Sequence, residues 1–342
     1  MDTTNTTDIA DTADTATRLI RQLADGERHS GAALAAALGI SRAAVWKAIQ
    51  RTSQQFDLEI RAVKGQGYQL PAPLELLDPA AMSARLAPET HRRIGPLHCF
   101  IDIDSTNTWL LAHSLEHPAQ GTCVLAERQS AGRGRRGRSW HSPFGANLYL
   151  SMFWSFDAGP AALGTLSLAA GAALCLALES LGIAQLQLKW PNDLHWQGRK
   201  LGGLLIEIAG ETQGPSRVVL GLGLNLRMPA NTTTAIDQPW VDLNTICQSH
   251  PPPRNTLAAC CIDQLSAMLA SFLEQGSEPW LNTWRRFDAY RDQTVSLHWG
   301  EHSITGIYRG IDDQGALLLQ TDGALRHFTA GEVSLRAAPA SE

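Results

Sequence analysis

Three observations predict a multidomain α/β protein: an N-terminal winged helix-turn-helix, a central α/β domain with a mixed sheet and helices, and a small C-terminal β-barrel. Helical periods broken by a Gly-Ile turn run through the first seventy residues, strands and helices alternate from about His98, and short strands with glycine turns follow Val295. A length of 342 residues suits two or three domains, and a hydrophobic content of 44% is ample for real cores. The boundaries read as a tail over 1–16, a winged helix over 17–70, a linker with a connecting helix over 71–97, a central domain over 98–290 and a barrel over 291–338.

Composition excludes several classes. A net charge of -5 means that any nucleic-acid contact must come from a local basic patch. The six cysteines have no C-x-x-C spacing and no histidine at zinc-finger distance, so neither a metal site nor a disulfide framework is expected, and a reducing compartment fits. Residues 1–16, rich in Thr, Asp and Ala, have neither the basic nor the apolar region of a signal peptide and read as a disordered tail. Ala158 to Leu178 carries no charge, but its glycines, Pro160, Thr165 and Ser167 make it a buried core helix starting near Pro160, not a membrane span. A cytoplasmic protein without membrane contact is expected.

In the first domain, Ile20 and Leu23 mark one helix, Ser30 caps a second with Leu34 and Leu38 inward, Gly39-Ile40 turns, and Ser41 caps a third. Ala44, Val45, Ala48 and Ile49 form the third helix's buried stripe. Arg42, Trp46 and Lys47 then face outward, where a recognition helix meets the major groove. Phe56, Leu58 and Ile60 alternate with polar residues, and Lys64-Gly65-Gln66-Gly67 turns back into Tyr68 and Leu70, a hairpin wing with Lys64 at its tip. From Glu27 to Leu70 six basic residues outnumber three acidic ones, which favours DNA over a packing module. A single such domain binds weakly, so a homodimer on a two-fold operator is implied.

Pro71-Ala72-Pro73 stiffens the linker, and Leu74 to about Leu86 reads as the connecting helix. Beyond it, a strand ends in Asp104-Ser105-Thr106-Asn107, where Ser105 or Thr106 can cap a helix. Another strand delivers Gln129-Ser130-Ala131-Gly132-Arg133-Gly134-Arg135-Arg136-Gly137-Arg138-Ser139-Trp140. Glycines and mutually repelling guanidiniums leave this run too flexible for helix or strand, so it reads as a nucleic-acid strip or as a flap awaiting an anion. No Gly-Lys-Ser/Thr follows, which argues against a P-loop.

Strand Leu186 to Trp190 ends in Pro191-Asn192-Asp193, a rigid turn presenting polar side chains. Lys200 opens an apolar strand, where its charge is costly unless an anion partners it or it snorkels. In Val218 to Leu226, leucines take one face while Gly221, Gly223 and Asn225 take the other. That leaves a trough for a planar group or for close packing of a helix against the glycines. Helices near Asn255 to Glu274 and Pro279 to Arg286 complete the domain, and the last strands end at Ala330-Gly331-Glu332-Val333-Ser334-Leu335.

Taken in order, Asp-Ser-Thr-Asn, the arginine-glycine run, Ser-Pro-Phe-Gly-Ala-Asn-Leu, Lys-Trp-Pro-Asn-Asp, Gly-Arg-Lys-Leu-Gly-Gly and Gly-Leu-Gly-x-Asn resemble the bifunctional biotin protein ligases that are also biotin operon repressors. The resemblance spans about Thr17 to Leu335. The arginine run and Lys-Trp-Pro-Asn-Asp are its specific motifs, and Gly202, where relatives often carry Ala, is a small departure. It implies a central domain of the biotin/lipoate ligase type and an SH3-like barrel.

The resemblance also implies chemistry: biotin and ATP give biotinyl-5′-adenylate, and a lysine of a biotin carboxyl carrier domain then takes the biotin. Magnesium is expected with ATP. Ser105, Thr106, Asn107, Gln129, Arg133, Gly134, Arg135 and Lys200 are implied for biotin. Arg133, Arg135, Arg138, Trp140, Asn192 and Asn225 are implied for ATP or the adenylate, with Lys200 and Arg135 catalytic. The alternatives are a ligase with a non-repressing winged helix, a ligand-sensing transcription factor without ligase activity, and a lipoate ligase, against which the arginine run and winged helix argue.

Overall fold

The computed structural model describes residues 15–113, 119–211, 214–229, 236, 238–299, 301–329 and 334–337. The tail expected over 1–16 lies outside them up to residue 14. Thr15 and Ala16 already belong to the first helix, α1 (15–23), where Ala16 is buried. α2 (Gly31–Leu38) and α3 (Arg42–Phe56) follow, capped by the hydroxyls of Ser30 and Ser41, and turn through 89° at Gly39, whose φ of 70° suits a residue without Cβ.

The wing is shorter than the alternation around Phe56 suggested. Phe56 ends α3, because Val45, Ile49, Thr52 and Phe56 recur at helical spacing and are all buried; Asp57 then stops the helix at φ 52°. The buried stripe is these four residues, with Ala44 and Ala48 only half-buried. The hairpin itself pairs β1 (Arg61–Val63) with β2 (Gly67–Gln69).

The connecting helix is also corrected. Leu74 to Leu77 are not helical, and only α4 (Pro79–Ser83) and α5 (Pro88–Arg93) form there, because the linker backbone is held by other partners. Leu74 N–H donates to Ala24, Leu77 N–H to the Glu127 carboxylate at 2.5 Å, and Asp78 caps α4 just before Pro79.

The central sheet runs β3 (Leu97–Phe100), β4 (Cys123–Ala126), β5 (Asn147–Phe156), β9 (Ser216–Asn225), β8 (Arg199–Gly210), β7 (Asp193–Trp196) and β6 (Leu186–Lys189). Only the β3–β4 pair is parallel. α7 (Leu166–Ser180) and α9 (Arg254–Gln275) cover one face and enclose the main core with Leu148, Leu150, Leu220, Leu222 and Leu224. The expected helix from Pro160 is broken: a 3-10 turn over Pro160–Leu163 precedes α7. Pro160–Ser180 and Arg254–Gln275 are long and apolar enough to cross a membrane by length and composition, and here their apolar faces are spent on the core.

α6 (Thr106–His113) packs on the opposite face, Leu110 meeting Val124, Phe153 and Val219. α8 (Leu243–Ile246) and α10 (Glu278–Arg286) complete the domain. The C-terminal strands β10 (Thr294–Trp299), β11 (His302–Ile311), β12 (Leu317–Thr321), β13 (Ala324–Phe328) and β14 (Ser334–Ala337) form an antiparallel sheet in the order β13-β12-β11-β10-β14. Residues 330–333 of the expected last strand lie outside the described residues, as does most of the loop from Met228 to Pro239.

Candidate active site

A cavity of about 740 Å³ opens on the α6 face of the sheet. Ser105, Thr106, Asn107, Gln129, Arg133, Gly134, Arg135, Arg138, Trp140, Asn192, Lys200 and Asn225 all line it, although they come from five separate stretches of the chain. The strand period explains part of this convergence. On β9 the leucines point into the core, so Gly221, Gly223 and Asn225 must face the cavity.

Its inner end is a buried polar circuit. Ser105 caps α6, its hydroxyl accepting from Thr108 N–H, and the Thr106 N–H and hydroxyl both donate to Gln129 Oε1 at 2.9 and 3.1 Å. Ser151, fully buried on β5, places its hydroxyl within hydrogen-bond distance of both Thr106 Oγ1 and Asn107 Oδ1, at 2.7 and 2.5 Å. Asn107 Nδ2 donates to Glu207 at 2.9 Å, and Gln129 Nε2 donates to Ser142. Such a network sets each side chain's orientation, because any member left unpaired in this low-dielectric place would be costly.

The arginine-glycine run is more ordered than its composition suggested. Gly134 N–H bonds Arg138 O at 2.7 Å, Trp140 N–H bonds Gly132 O at 2.8 Å, and Arg136 and Gly137 take positive φ at the tip. An ion pair offsets part of the guanidinium repulsion, Arg133 bonding the Glu207 carboxylate, while Arg135 is oriented by a hydrogen bond to the neutral Asn192 Oδ1 at 3.1 Å. Gly132 is needed for close approach, since a Cβ there would lie 2.6 Å from Ser142 Oγ.

The glycine trough is occupied by the protein's own side chains. A Cβ on Gly221 would lie 2.2 Å from Asn107 Oδ1, and one on Gly223 would lie 2.4 Å from the Trp140 ring. Helix packing is thus seen at Gly221, where Asn107 belongs to α6, whereas at Gly223 a planar group, the indole of Trp140, lies on the glycine and also lines the cavity. Asn225 Nδ2 donates to Val241 O at 3.1 Å.

Lys200 does not snorkel. Its Nζ lies 2.8 Å from Asp193 Oδ1 and 5.5 Å from the Trp140 ring centroid. Burial pushes the Asp193 carboxyl up, but the charge and hydrogen bond of Lys200 outweigh it and hold the group below the usual carboxylate range. Asp193 therefore stays anionic and fixes the ammonium at the cavity wall. Behind them, burial drives the His195 imidazole down to about 4, with Lys189 adding to the effect, so it is neutral at pH 7.

Ser151, Glu207, Asp193 and Ser142 were missing from the sequence-based set. Ser151 had a signal, a lone serine in the apolar run Leu148 to Trp154. Glu207 had none, because its role depends on a contact 74 positions away. Arg42, Trp46, Lys47 and Lys64 lie apart from the cavity, all exposed on α3 and the wing, with Trp46 55% accessible.

Fold and site together define a winged-helix protein whose mixed-sheet domain carries a cationic cavity over a floor of glycines. Comparison with known families and proteins narrows this. Residues 99–225 match the biotin/lipoate A/B protein ligase family, 292–336 the biotin protein ligase C-terminal domain, and 15–69 a helix-turn-helix domain. The Escherichia coli bifunctional ligase/repressor BirA is 43% identical over 94% of this chain and 97% of its own length. The Mycobacterium tuberculosis biotin–[acetyl-CoA-carboxylase] ligase is 34% identical over 67% and 85%. Among solved structures, the biotin protein ligase from Aquifex aeolicus in complex with biotin and ATP superposes with a TM-score of 0.61 at 27% identity, covering 72% of this chain and all of that one. The chain belongs to the biotin protein ligase family, in its bifunctional ligase/repressor form.

Proposed function

We propose that this protein is an ATP-dependent biotin protein ligase that also represses transcription in response to its own adenylate. In the first step the biotin carboxylate attacks the α-phosphorus of ATP and pyrophosphate leaves. In the second, the ε-amine of a carrier-domain lysine attacks the acyl carbon and AMP leaves. The carrier belongs to a biotin-dependent carboxylase, the class of acceptor named for the M. tuberculosis biotin–[acetyl-CoA-carboxylase] ligase.

The observation that carries this reading is the convergence of Lys200, Arg133 and Arg135 on one cavity beside the buried Thr106–Asn107–Gln129 circuit. Biotin is uncharged except at its carboxylate, so a polar, hydrogen-bonding end and a cationic end suit it. Thr106, Asn107 and Gln129, with Ser105 setting the helix start, take the ring system, and Arg133, Gly134 and Arg135 lie over the carboxylate. Arg138, Trp140, Asn192 and Asn225 take the nucleotide. Lys200, paired with Asp193, draws together two anions that repel one another and stabilises the charge that develops on each reacting centre. Magnesium accompanies ATP; among the described residues no group of three or more His, Cys, Asp or Glu could cage a metal, so no step is assigned to a protein-bound ion.

Repression rests on α3 and the wing, where Arg42, Trp46, Lys47 and Lys64 meet operator DNA as a cytoplasmic homodimer. Adenylate that favours the dimer raises operator affinity by linkage. Incorporation of labelled biotin into a carrier domain, dependent on ATP and not competed by lipoate, tests the ligase. A footprinting titration tests the repressor, and operator affinity unaffected by adenylate would remove the linkage.

A further inference from the structure

Glu207 stands outside the residues assigned to either substrate, yet it joins both walls of the cavity. It sits on β8 with its side chain 27% accessible, one carboxylate oxygen accepting from Arg133 and the other from Asn107 at 2.9 Å. Asn107 is fixed by Ser151 and the Leu205 carbonyl, and through Ser151 it joins Thr106 and Gln129, from which the arginine flap departs. The flap is therefore pinned at its stem by Gln129 and Ser142 and at Arg133 by Glu207.

We infer that Glu207 is a positioning residue, an electrostatic latch that holds Arg133 of the arginine flap over the cavity and so sets how long the adenylate is retained. The inference rests on the ligase reading above. The carboxylate is suited to this because one group must satisfy a guanidinium and an amide at once, and only an ionised acid offers two acceptor oxygens. A reactive mixed anhydride gains from a flap that opens slowly, because opening admits water and lets the intermediate escape.

Two substitutions separate the latch from a spacer. Glu207→Gln keeps size and one acceptor but loses the charge, whereas Glu207→Asp keeps the charge on a shorter stem. Adenylate is formed on the full-length protein from labelled biotin and ATP, and its release is followed by filter binding. The latch predicts release roughly tenfold faster from Glu207→Gln, equivalent to about 1.4 kcal/mol, and a rise in KM for biotin larger than any change in kcat. Glu207→Asp should be the milder variant, and added salt should speed release from the wild type but not from Glu207→Gln. Thermal melts of both accompany the kinetics; if Glu207→Gln does not fold, the wild-type salt dependence and Glu207→Asp decide. Release from Glu207→Gln within twofold of wild type, salt-independent wild-type release, or a Gln variant milder than the Asp variant overturns the latch. Adenylate formed normally by the wild type then leaves the ligase reading standing, whereas a wild type that forms none removes both.

Discussion

Lys200 and Asp193 form an ion pair at the cavity wall, and both side chains line the cavity, so the ammonium is anchored on one side and presented to the cavity. Lys200→Gln keeps a donor for Asp193 and removes the charge. We expect adenylate formation to fall by roughly 10²–10³, the cost of removing one preorganised donor from a charge-building centre. A rapid-quench rate within tenfold of wild type would take Lys200 out of the chemistry. His195 makes a prediction of a different kind, because its ring nitrogens are buried without hydrogen-bond partners. With its folded value pushed down to about 4 from 6.5, the native state binds fewer protons than the unfolded chain. Its contribution is therefore complete above pH 6.5 and is lost as pH falls toward 4, a swing of at most about 3 kcal/mol. Urea melts at pH 7 and 4.5 should show a smaller acid loss for His195→Leu than for wild type; equal losses would place the proton elsewhere.

On strand β9 two glycines serve two different neighbours, Gly221 making room for Asn107 and Gly223 for Trp140. Alanine at either position must displace its own neighbour, which separates the two ends of the cavity. Gly223→Ala should raise KM for ATP about tenfold or more with a smaller effect on biotin, and Gly221→Ala should do the reverse. Steady-state kinetics with each substrate varied in turn distinguishes them, and identical effects from both would mean that the strand merely shifts as a body. α3 shows the converse use of a period. Its outward residues are exposed while Phe56, at the end of the same buried stripe, packs its ring at a tilt of 51° against Phe144, with centroids 4.8 Å apart, and so touches the central domain.

Across the whole molecule, the DNA-binding unit is fastened to the catalytic one by groups clustered around the cavity's own loops. Gln55 donates to Asp102, which also receives Arg128, and Phe144 lies two residues from Ser142 of the polar circuit. Beneath the linker, Arg254 is buried against Glu127 at 2.6 Å and also bonds the carbonyls of Glu75 and Asn147, while Glu75 accepts from Arg254 and Asn255 backbone N–H groups. Glu127 lies two positions before Gln129. Arg254→Met would strand that carboxylate in the interior, and we expect a loss of about 3–5 kcal/mol in denaturant unfolding. A loss below 1 kcal/mol would show that water reaches Glu127 and that the linker is not clamped there.

Local chemistry was legible from the chain alone where one residue or one period decides it: the caps at Ser30 and Ser41, the outward face of α3, the leucine-glycine alternation of β9, and the motif residues that converge on the cavity. Tertiary contacts decided the rest. The linker is largely non-helical because Glu127 and Ala24 claim its N–H groups, and the trough is filled because Trp140 reaches it from the arginine-glycine run and Asn107 from α6. The arginine run is folded because Glu207 neutralises one of the charges that repulsion would spread apart and Asn192 hydrogen-bonds another. Propensity and periodicity act over a few neighbouring residues, whereas desolvation and charge pairing depend on which distant groups the fold brings within a few ångströms.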